Sequence, residues 1–338
     1  MDALNAALLS DSDDGRTHYY LGDLLYDKQP DKAIEHWEKA IELGEDYYIV
    51  YRNLGFAYSI KNNLEKSIDY YEQAIKQNPN DAAVYTELDA LYVFNNTPVE
   101  KRLELLENNM EVVRQRDDTL YRYVTALIQS ERYDEAFDIL NTHHFHLFTE
   151  VDSELHGAYL DACLLRGKKY YEQGDYQKAL DDYLAALEYP ENLEIEIANP
   201  IRDETLSKTY YYIGTAYEAL GNPVKAKGYY EKASNVNVGD SYYGYYKAKA
   251  LAELGEAQKA QEAYDLLIDT AEEVDTVKFF AKFGQRSSDK ARQAEPYYLK
   301  GLAYMGLGKD DQAVEMFEQV LEIDGNNIWA RTYLQELR

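Results

Sequence analysis

Residues 48–81, YIVYRNLGFAYSIKNNLEKSIDYYEQAIKQNPND, decide how the rest of the chain is interpreted. Their pattern predicts two helices joined by a turn at Asn62–Asn63, with a proline ending the second helix. Two helices cross closely only where both carry small residues, so Gly55 and Ser67 are predicted to meet at the crossing. The ring of Tyr71 would then fill the space beside them.

The same combination of small and aromatic residues recurs along most of the chain. The small position of each first helix is taken in turn by Gly22, Gly55, Asp89, Val124, Gly167, Gly214, Ala248 and Gly301. This spacing predicts a closing helix in 327–338 and eight repeats, near 15–47, 48–81, 82–116, 117–151, 152–193, 203–239, 240–275 and 287–326. The longer intervals place insertions between repeats, at 143–155, 190–204 and 272–295. Stacked repeats suit a chain of 338 residues without linkers, because a solenoid grows without enlarging one core.

The repeats resemble the tetratricopeptide repeat family. The matching residues of the second repeat are Leu54, Gly55, Tyr58, Ser67, Tyr71 and Ala74. The resemblance implies an all-α fold, a right-handed α–α superhelix of about eight helix pairs with a C-terminal capping helix. A single solenoid would then extend over 1–338.

The resemblance also implies a concave groove. In such a repeat, the residue after the first-helix aromatic points into the groove, and another groove residue follows one turn later. The candidate groove residues are therefore Tyr19, Arg52, Phe56, Tyr121, Tyr211, Tyr245, Lys249 and Tyr298. Each of the eight repeats has one position directly after the first-helix aromatic, and tyrosine occupies five of them. Tyrosine offers amphipathic contact area at low entropic cost. A partner-binding groove and lateral packing of tyrosines between repeats are the two interpretations.

A second, narrower resemblance covers nearly the whole chain. Residues 144–147 (HFHL), 174–193 (GDYQKALDDYLAALEYPENL) and 297–313 (YYLKGLAYMGLGKDDQA) are similar to one group of large bacterial proteins. In that group, a tetratricopeptide region follows a β-rich, sugar-mutarotase-like domain of unknown function. The resemblance implies that this chain is the repeat region alone, and the abrupt start of the first repeat also suggests a piece of a longer protein.

The composition of the chain limits the kinds of molecule that it is expected to bind. A net charge of −27 argues against nucleic acid and against anionic membranes. No run of about 18 apolar residues is present, so no membrane-spanning helix is expected. A signal-peptide pattern is also absent from the N-terminus, which favours a cytoplasmic location. The single Cys163 excludes an internal disulfide framework.

No group of residues in the sequence predicts chemistry. The strongest metal candidate is the set His143, His144 and His146, with Glu150 and His156 nearby. A zinc site needs about four converging ligands, and a histidine run within an insertion does not fix that geometry. Paired carboxylates are expected by chance among 62 acidic residues, and no nucleophile or phosphate-loop pattern occurs. We therefore predict no catalytic residue, no metal and no cofactor.

The predicted function is that of a non-catalytic scaffold, which binds an extended peptide or a partner domain in the tyrosine-lined groove. The alternative, from the second resemblance, is an accessory module that docks on a β-rich domain of the same full-length protein. Self-association through the groove or through the insertion at 272–295 is a third interpretation.

Overall fold

The computed structural model describes residue 9 and residues 11–146, 152–193, 204–277 and 286–338. Within these ranges the regular structure is helical, with one turn of 3₁₀ helix at Glu191–Leu193 and no strand. None of the helices described is both long and apolar enough to cross a membrane. The all-α fold predicted from the sequence is confirmed.

We number the α helices in chain order. The first nine are α1 Gly15–Leu25, α2 Pro30–Glu42, α3 Tyr48–Ile60, α4 Leu64–Gln77, α5 Ala82–Phe94, α6 Val99–Glu107, α7 Met110–Val113, α8 Asp117–Gln129 and α9 Tyr133–Thr142. The others are α10 Asp152–Glu172, α11 Tyr176–Ala185, α12 Thr205–Ala219, α13 Pro223–Asn235, α14 Gly244–Glu253, α15 Ala257–Val277, α16 Arg286–Gly306, α17 Asp310–Ile323 and α18 Ile328–Glu336.

Contacts within the chain define two compact units, residues 1–123 and 124–338. We call them the N-terminal unit and the C-terminal unit. In the N-terminal unit, α1 packs on α2 and α3 packs on α4. In the C-terminal unit, the packed pairs are α10 with α11, α12 with α13, α14 with α15, and α16 with α17. Helices thus pair as the repeats predict, whereas a single solenoid over 1–338 stays a prediction.

The turns that join the two helices of a pair have a residue with left-handed backbone conformation at the same position. Seven turns have a positive φ at the seventh residue after the small position, namely at Asn62, Asn96, Glu131, Gly174, Gly221, Gly255 and Gly308. Glycine and asparagine adopt this conformation at little cost, so six of these positions follow directly from sequence preference. Glu131, with φ of 61°, holds the conformation without that preference.

The helices of a pair approach most closely where glycine faces an aromatic ring. A Cβ atom on Gly55 would lie 2.6 Å from Tyr71, and one on Gly214 would lie 2.5 Å from Tyr230. The hydroxyl of Ser67 donates to the carbonyl oxygen of Gly55 at 2.6 Å. The crossing predicted from the second repeat is confirmed. The tyrosine rings occupy the space that a side chain at the glycine position would need.

The third repeat makes its crossing with an ion pair. Asp89 takes the glycine position, and both it and Arg102 are fully buried. Arg102 Nε donates to Asp89 Oδ1 at 2.8 Å, and Nη2 donates to Oδ2 at 2.9 Å. This bidentate geometry compensates for removing both charges from water. The pair therefore replaces the two small residues that meet in the second repeat.

Two of the insertions contact each other. The backbone N–H of Phe145 donates to Asn192 O at 2.9 Å, and Asn192 Nδ2 donates to Leu140 O at 2.9 Å. Phe145 and Leu193 are buried, so these joints contribute to the core of the C-terminal unit. Parts of all three predicted insertions lie outside the described residues, at 147–151, 194–203 and 278–285.

The close crossing predicts opposite effects of one methyl group at two glycines of the pair α12–α13. Gly214→Ala should lower the free energy of unfolding by about 1–3 kcal/mol, because its Cβ overlaps the ring of Tyr230. Gly228→Ala, which meets no atom within 4 Å, should raise it by about 0.5–1 kcal/mol through helix propensity. Urea unfolding of both variants measures the difference, and equal effects would contradict the proposed crossing.

The buried ion pair predicts strong coupling between its partners. Asp89→Gly alone should cost about 3–5 kcal/mol, because it leaves the Arg102 guanidinium buried without its carboxylate. Asp89→Gly combined with Arg102→Ser restores the glycine–serine contact of the second repeat and should cost less than the single change. A double-mutant cycle from urea unfolding measures this coupling, and additive effects would argue against it.

Candidate functional site

Side-chain hydrogen bonds join the first helices of neighbouring repeats in the N-terminal unit. Asn53 Nδ2 on α3 donates to Asp23 Oδ1 on α1 at 2.9 Å. Arg52 Nε on α3 donates to Glu87 Oε2 on α5 at 2.9 Å, and its Nη2 also donates to that carboxylate. The hydrogen bond to Glu87 raises the pKa of Arg52 above its already high ordinary value. The predicted groove residue Arg52 is thus a fixed and neutralised cation.

Three aromatic residues of the N-terminal unit are open to solvent. Phe56 is 47% exposed, Tyr20 is 48% exposed and Tyr47 is 44% exposed. The ring of Tyr19 lies 5.0 Å from that of Tyr20 and 5.5 Å from that of Tyr47, measured between centroids. We call the surface formed by Tyr19, Tyr20, Tyr47, Arg52 and Phe56 the N-terminal inner face.

The predicted groove residues of the C-terminal unit are brought together, but they are covered. Tyr211, Tyr245 and Tyr298 are only 6%, 2% and 8% exposed. Lys249 Nζ lies 5.0 Å from the ring centroid of Tyr211 and 5.5 Å from that of Tyr245. The ring of Tyr245 also packs against Tyr333 of α18, at 6.1 Å between centroids. These three tyrosines are therefore covered where α18 contacts their cluster, and binding of a partner there stays a prediction.

Helix α18 is held by side chains that are distant in sequence. Trp329 Nε1 donates to Asp161 Oδ1 on α10 at 2.7 Å, and Lys208 Nζ on α12 lies 3.1 Å from a ring centroid of Trp329. Glu336 forms an ion pair with Lys168 at 3.1 Å. We call the surface under α18 the tyrosine–lysine surface, and its members are Asp161, Lys168, Lys208, Tyr211, Tyr245, Tyr246, Lys249 and Tyr298.

Further contacts of α18 involve hydroxyl and backbone groups. The hydroxyl of Tyr333 forms a short hydrogen bond with that of Tyr246. Arg331 Nη1 donates to the backbone oxygen of Gln129 at 3.1 Å, and its Nη2 donates to Gly325 O at 2.7 Å. The sequence-based prediction of a closing helix is correct, but it did not identify what the helix covers. The tryptophan and tyrosine four residues apart were the available signal for a buried face.

Burial shifts the ionisation of the charged groups in this surface. Lys208 is 1% exposed, and burial lowers its pKa to about 7, although Asp161 acts in the opposite direction. Burial raises the pKa of Asp161 and lowers that of Lys249. For Lys168, burial acts to lower the pKa, but the carboxylates of Glu336 and Glu172 outweigh it, so the pKa is raised. Groups of both signs are thus taken out of water under α18.

Tyr121, the last of the predicted groove residues, is 9% exposed, so it adds little to an accessible groove.

The remaining candidates for chemistry do not form a reactive site. Burial raises the pKa of the Cys163 thiol to about 12, which keeps it protonated at neutral pH. His144 and His146 lie with ring centroids 4.9 Å apart. The described part of the chain holds no group of three or more potential metal ligands, and Glu150 lies outside it.

Comparison with known families identifies the repeats. Profiles of the tetratricopeptide repeat match residues 48–81, 208–235 and 294–327. These segments contain the pair α3–α4 and most of the pairs α12–α13 and α16–α17. The chain therefore carries tetratricopeptide repeats in an all-α solenoid fold. Repeats of this kind are generally non-catalytic protein-interaction modules.

Similarity to individual proteins is low in identity. The chain is 22% identical to the TPR repeat-containing protein MJ1428 of Methanocaldococcus jannaschii, over 95% of this chain and 56% of that protein. It is 26% identical to the Arabidopsis thaliana protein CTR9 homolog, over 51% of this chain and 18% of that protein. It thus spans about half, or less, of the length of these relatives.

Solved structures of tetratricopeptide proteins also align with the chain. One from Parabacteroides merdae aligns over 87% of this chain and 99% of its own, with 13% identity and a TM-score of 0.46. YrrB, described as having an unusual peptide-binding site, aligns over 68% of this chain and 90% of its own, with 16% identity and a TM-score of 0.37.

The buried lysine predicts a pH dependence of stability. Because the pKa of Lys208 is about 7 in the folded chain and its ordinary value is 10.5, the unfolded chain binds more protons between these limits. The free energy of unfolding of the C-terminal unit should therefore rise from pH 7 towards pH 10, by at most about 1.4 kcal/mol per pH unit. Urea unfolding at pH 7, 8 and 9 measures this slope. A slope equally steep in Lys208→Met would contradict the assignment.

Proposed function

We propose that the chain is a non-catalytic scaffold that binds an extended peptide of a partner protein on the N-terminal inner face. The observation that carries the proposal is the exposure of Phe56, whose ring is nearly half open to solvent. An exposed ring on a rigid helix offers large contact area and loses little conformational freedom on binding. Tetratricopeptide repeats at 48–81 supply the general class of function.

The chemistry of this surface favours a peptide with apolar or aromatic anchors. Tyr20 and Tyr47 stand beside Tyr19, so two exposed rings and one half-buried ring adjoin each other. Arg52 already forms a two-point hydrogen bond with Glu87, so it is poorly suited to hold a peptide carboxylate as well. Ring contacts rather than an ionic clamp would therefore supply most of the affinity.

Substitution of one exposed ring tests the proposal. Peptides selected from an extended-peptide library on the purified chain should bind Phe56→Ala at least tenfold more weakly, because the anchor contact is lost. Val224→Ala is the matched control, since Val224 is an exposed apolar residue of α13, 82% open to solvent. Fluorescence anisotropy of a labelled peptide measures both affinities. Failure to select any peptide, or an equal loss in the control, would contradict the proposal.

A second candidate function follows from the resemblance to mutarotase-like proteins. The chain would then be an accessory module, and its repeats would dock on a β-rich domain of the same protein. The coding sequence upstream of Met1 decides between the two, because a β-rich domain encoded there favours docking within one protein. In that case the N-terminal inner face should lose exposure when the two parts are expressed together.

A further inference from the structure

The side chains under α18 differ from those that hold the helix pairs together. The pairs are packed through alanine, leucine and buried rings, such as Ala74 and Leu54, which are fully buried. The tyrosine–lysine surface instead carries hydroxyl, ammonium and carboxylate groups, including Asp161, Lys168 and Lys249. Groups of this kind regain hydration when they are uncovered, whereas aliphatic side chains do not. The surface is therefore suited to exposure as well as to burial.

Basic residues are concentrated in this surface, although the chain as a whole is acidic. The protein has 62 acidic and 35 basic residues, yet Lys168, Lys208 and Lys249 come from three successive first helices to the same surface. The carboxylate of Glu336 pairs with Lys168 and also acts on Lys249. Lys208 lies on the ring of Trp329. The surface thus complements a helix that presents aromatic rings and a carboxylate.

Helix α18 presents these groups on one face. Trp329, Tyr333 and Glu336 are spaced by four and three residues, which places them in a row along a helix. Each contacts a different part of the tyrosine–lysine surface, at Asp161, Tyr246 and Lys168 respectively. Such spacing is typical of an amphipathic helix bound in a groove.

The attachment of α18 to the rest of the unit is short. It follows α17 after the four residues Asp324–Asn327, and the last repeat profile ends at residue 327. Helix α18 therefore lies outside the last repeat and follows it directly in the chain. Its nine residues are too few to be stable alone in water, so its structure depends on the surface that it covers.

We propose that the tyrosine–lysine surface is a binding site for an amphipathic helix of a partner protein that presents tryptophan, tyrosine and glutamate at positions i, i+4 and i+7. Helix α18 is the ligand that occupies this site within the chain, and the partner helix takes its place. The site shares no residue with the N-terminal inner face, so loss of one binding activity should leave the other unchanged.

A labelled peptide of the sequence 326–338, NNIWARTYLQELR, is the probe. In the unmodified full chain, α18 competes at a high effective concentration, so the peptide should bind weakly. In the full chain with Trp329→Ala and Tyr333→Ala, α18 loses its anchors, and the peptide should bind at least tenfold more tightly. Thr332→Ala is the matched control, since the hydroxyl of Thr332 bonds only to Ile328 O of its own helix.

Two further measurements locate the peptide. Adding Lys168→Met and Lys249→Met to the double variant should weaken binding at least fivefold, because the lysines face the glutamate of the probe. A probe carrying glutamine in place of that glutamate should show a similar loss and little further loss on the lysine variants. Equal binding to the double variant and to Thr332→Ala, or binding insensitive to the lysines, would overturn the proposal.

Hydrogen exchange on the unmodified chain keeps the test independent of variant folding. If α18 leaves its site while the repeats stay folded, its amides should exchange at lower protection than those of α12 and α14. Exchange of α18 in step with these helices would overturn the proposal, because the helix would then be a permanent part of the core. If light scattering gave a mass of two chains, with α18 exchanged between them, the helix that binds this surface would come from a second copy of this chain and not from a partner protein.

Discussion

The close approach of a glycine to an aromatic ring is the constraint on which the rest of the structure depends. At the crossing of Gly55 and Tyr71, or of Gly214 and Tyr230, the ring occupies space that any side chain would fill. Close packing of this kind fixes the distance and angle between the two helices of a pair. The third repeat meets the same requirement by a different route, because Asp89 and Arg102 form a buried pair there.

Tyrosine suits an acidic repeat protein because its two ends have different partners. The ring packs inside the pair, and the hydroxyl reaches a carboxylate near the surface. Tyr92, for example, donates to Glu72 at 2.7 Å, and Tyr230 donates to Glu218 at 2.8 Å. In these two cases a buried ring carries a hydroxyl that donates to a carboxylate, which suits a chain with 35 tyrosines and 62 acidic residues. The same side chain serves the crossings and the surface under α18.

Sequence predicted the local part of this structure well. Helices, turns and crossings depend on residues within one repeat, so the spacing of Gly55, Ser67 and Tyr71 was sufficient to place them. The sequence does not reveal the role of Arg102, because the repeat pattern does not show that an aspartate at the small position, Asp89, is half of an ion pair. The position of α18 could not be predicted, because its main contact joins Trp329 to Asp161, 168 residues earlier. Periodicity within a repeat carries no information about such a contact.

The candidate site shows the same division between local and distant information. Placing Tyr211, Tyr245 and Tyr298 on one surface required only the repeat register. Tyr211 and Tyr245 both pack on Tyr246, and Tyr298 is linked to Tyr245 through the rings of Phe317 and Tyr333. Whether that surface is open depends on a helix from the far end of the chain. Phe56, in contrast, lies in a repeat whose surroundings are local, and it is exposed to solvent.

The common left-handed turn residue has a consequence for how such a gene can change length. Seven turns share one geometry at a fixed distance from the crossing, so adding or removing residues inside a pair would separate the turn from the contact that it serves. The three predicted insertions all fall between pairs. We therefore expect tandem duplication or deletion to be tolerated in whole pairs, so that the size of the coding region varies among descendants in steps of one helix pair.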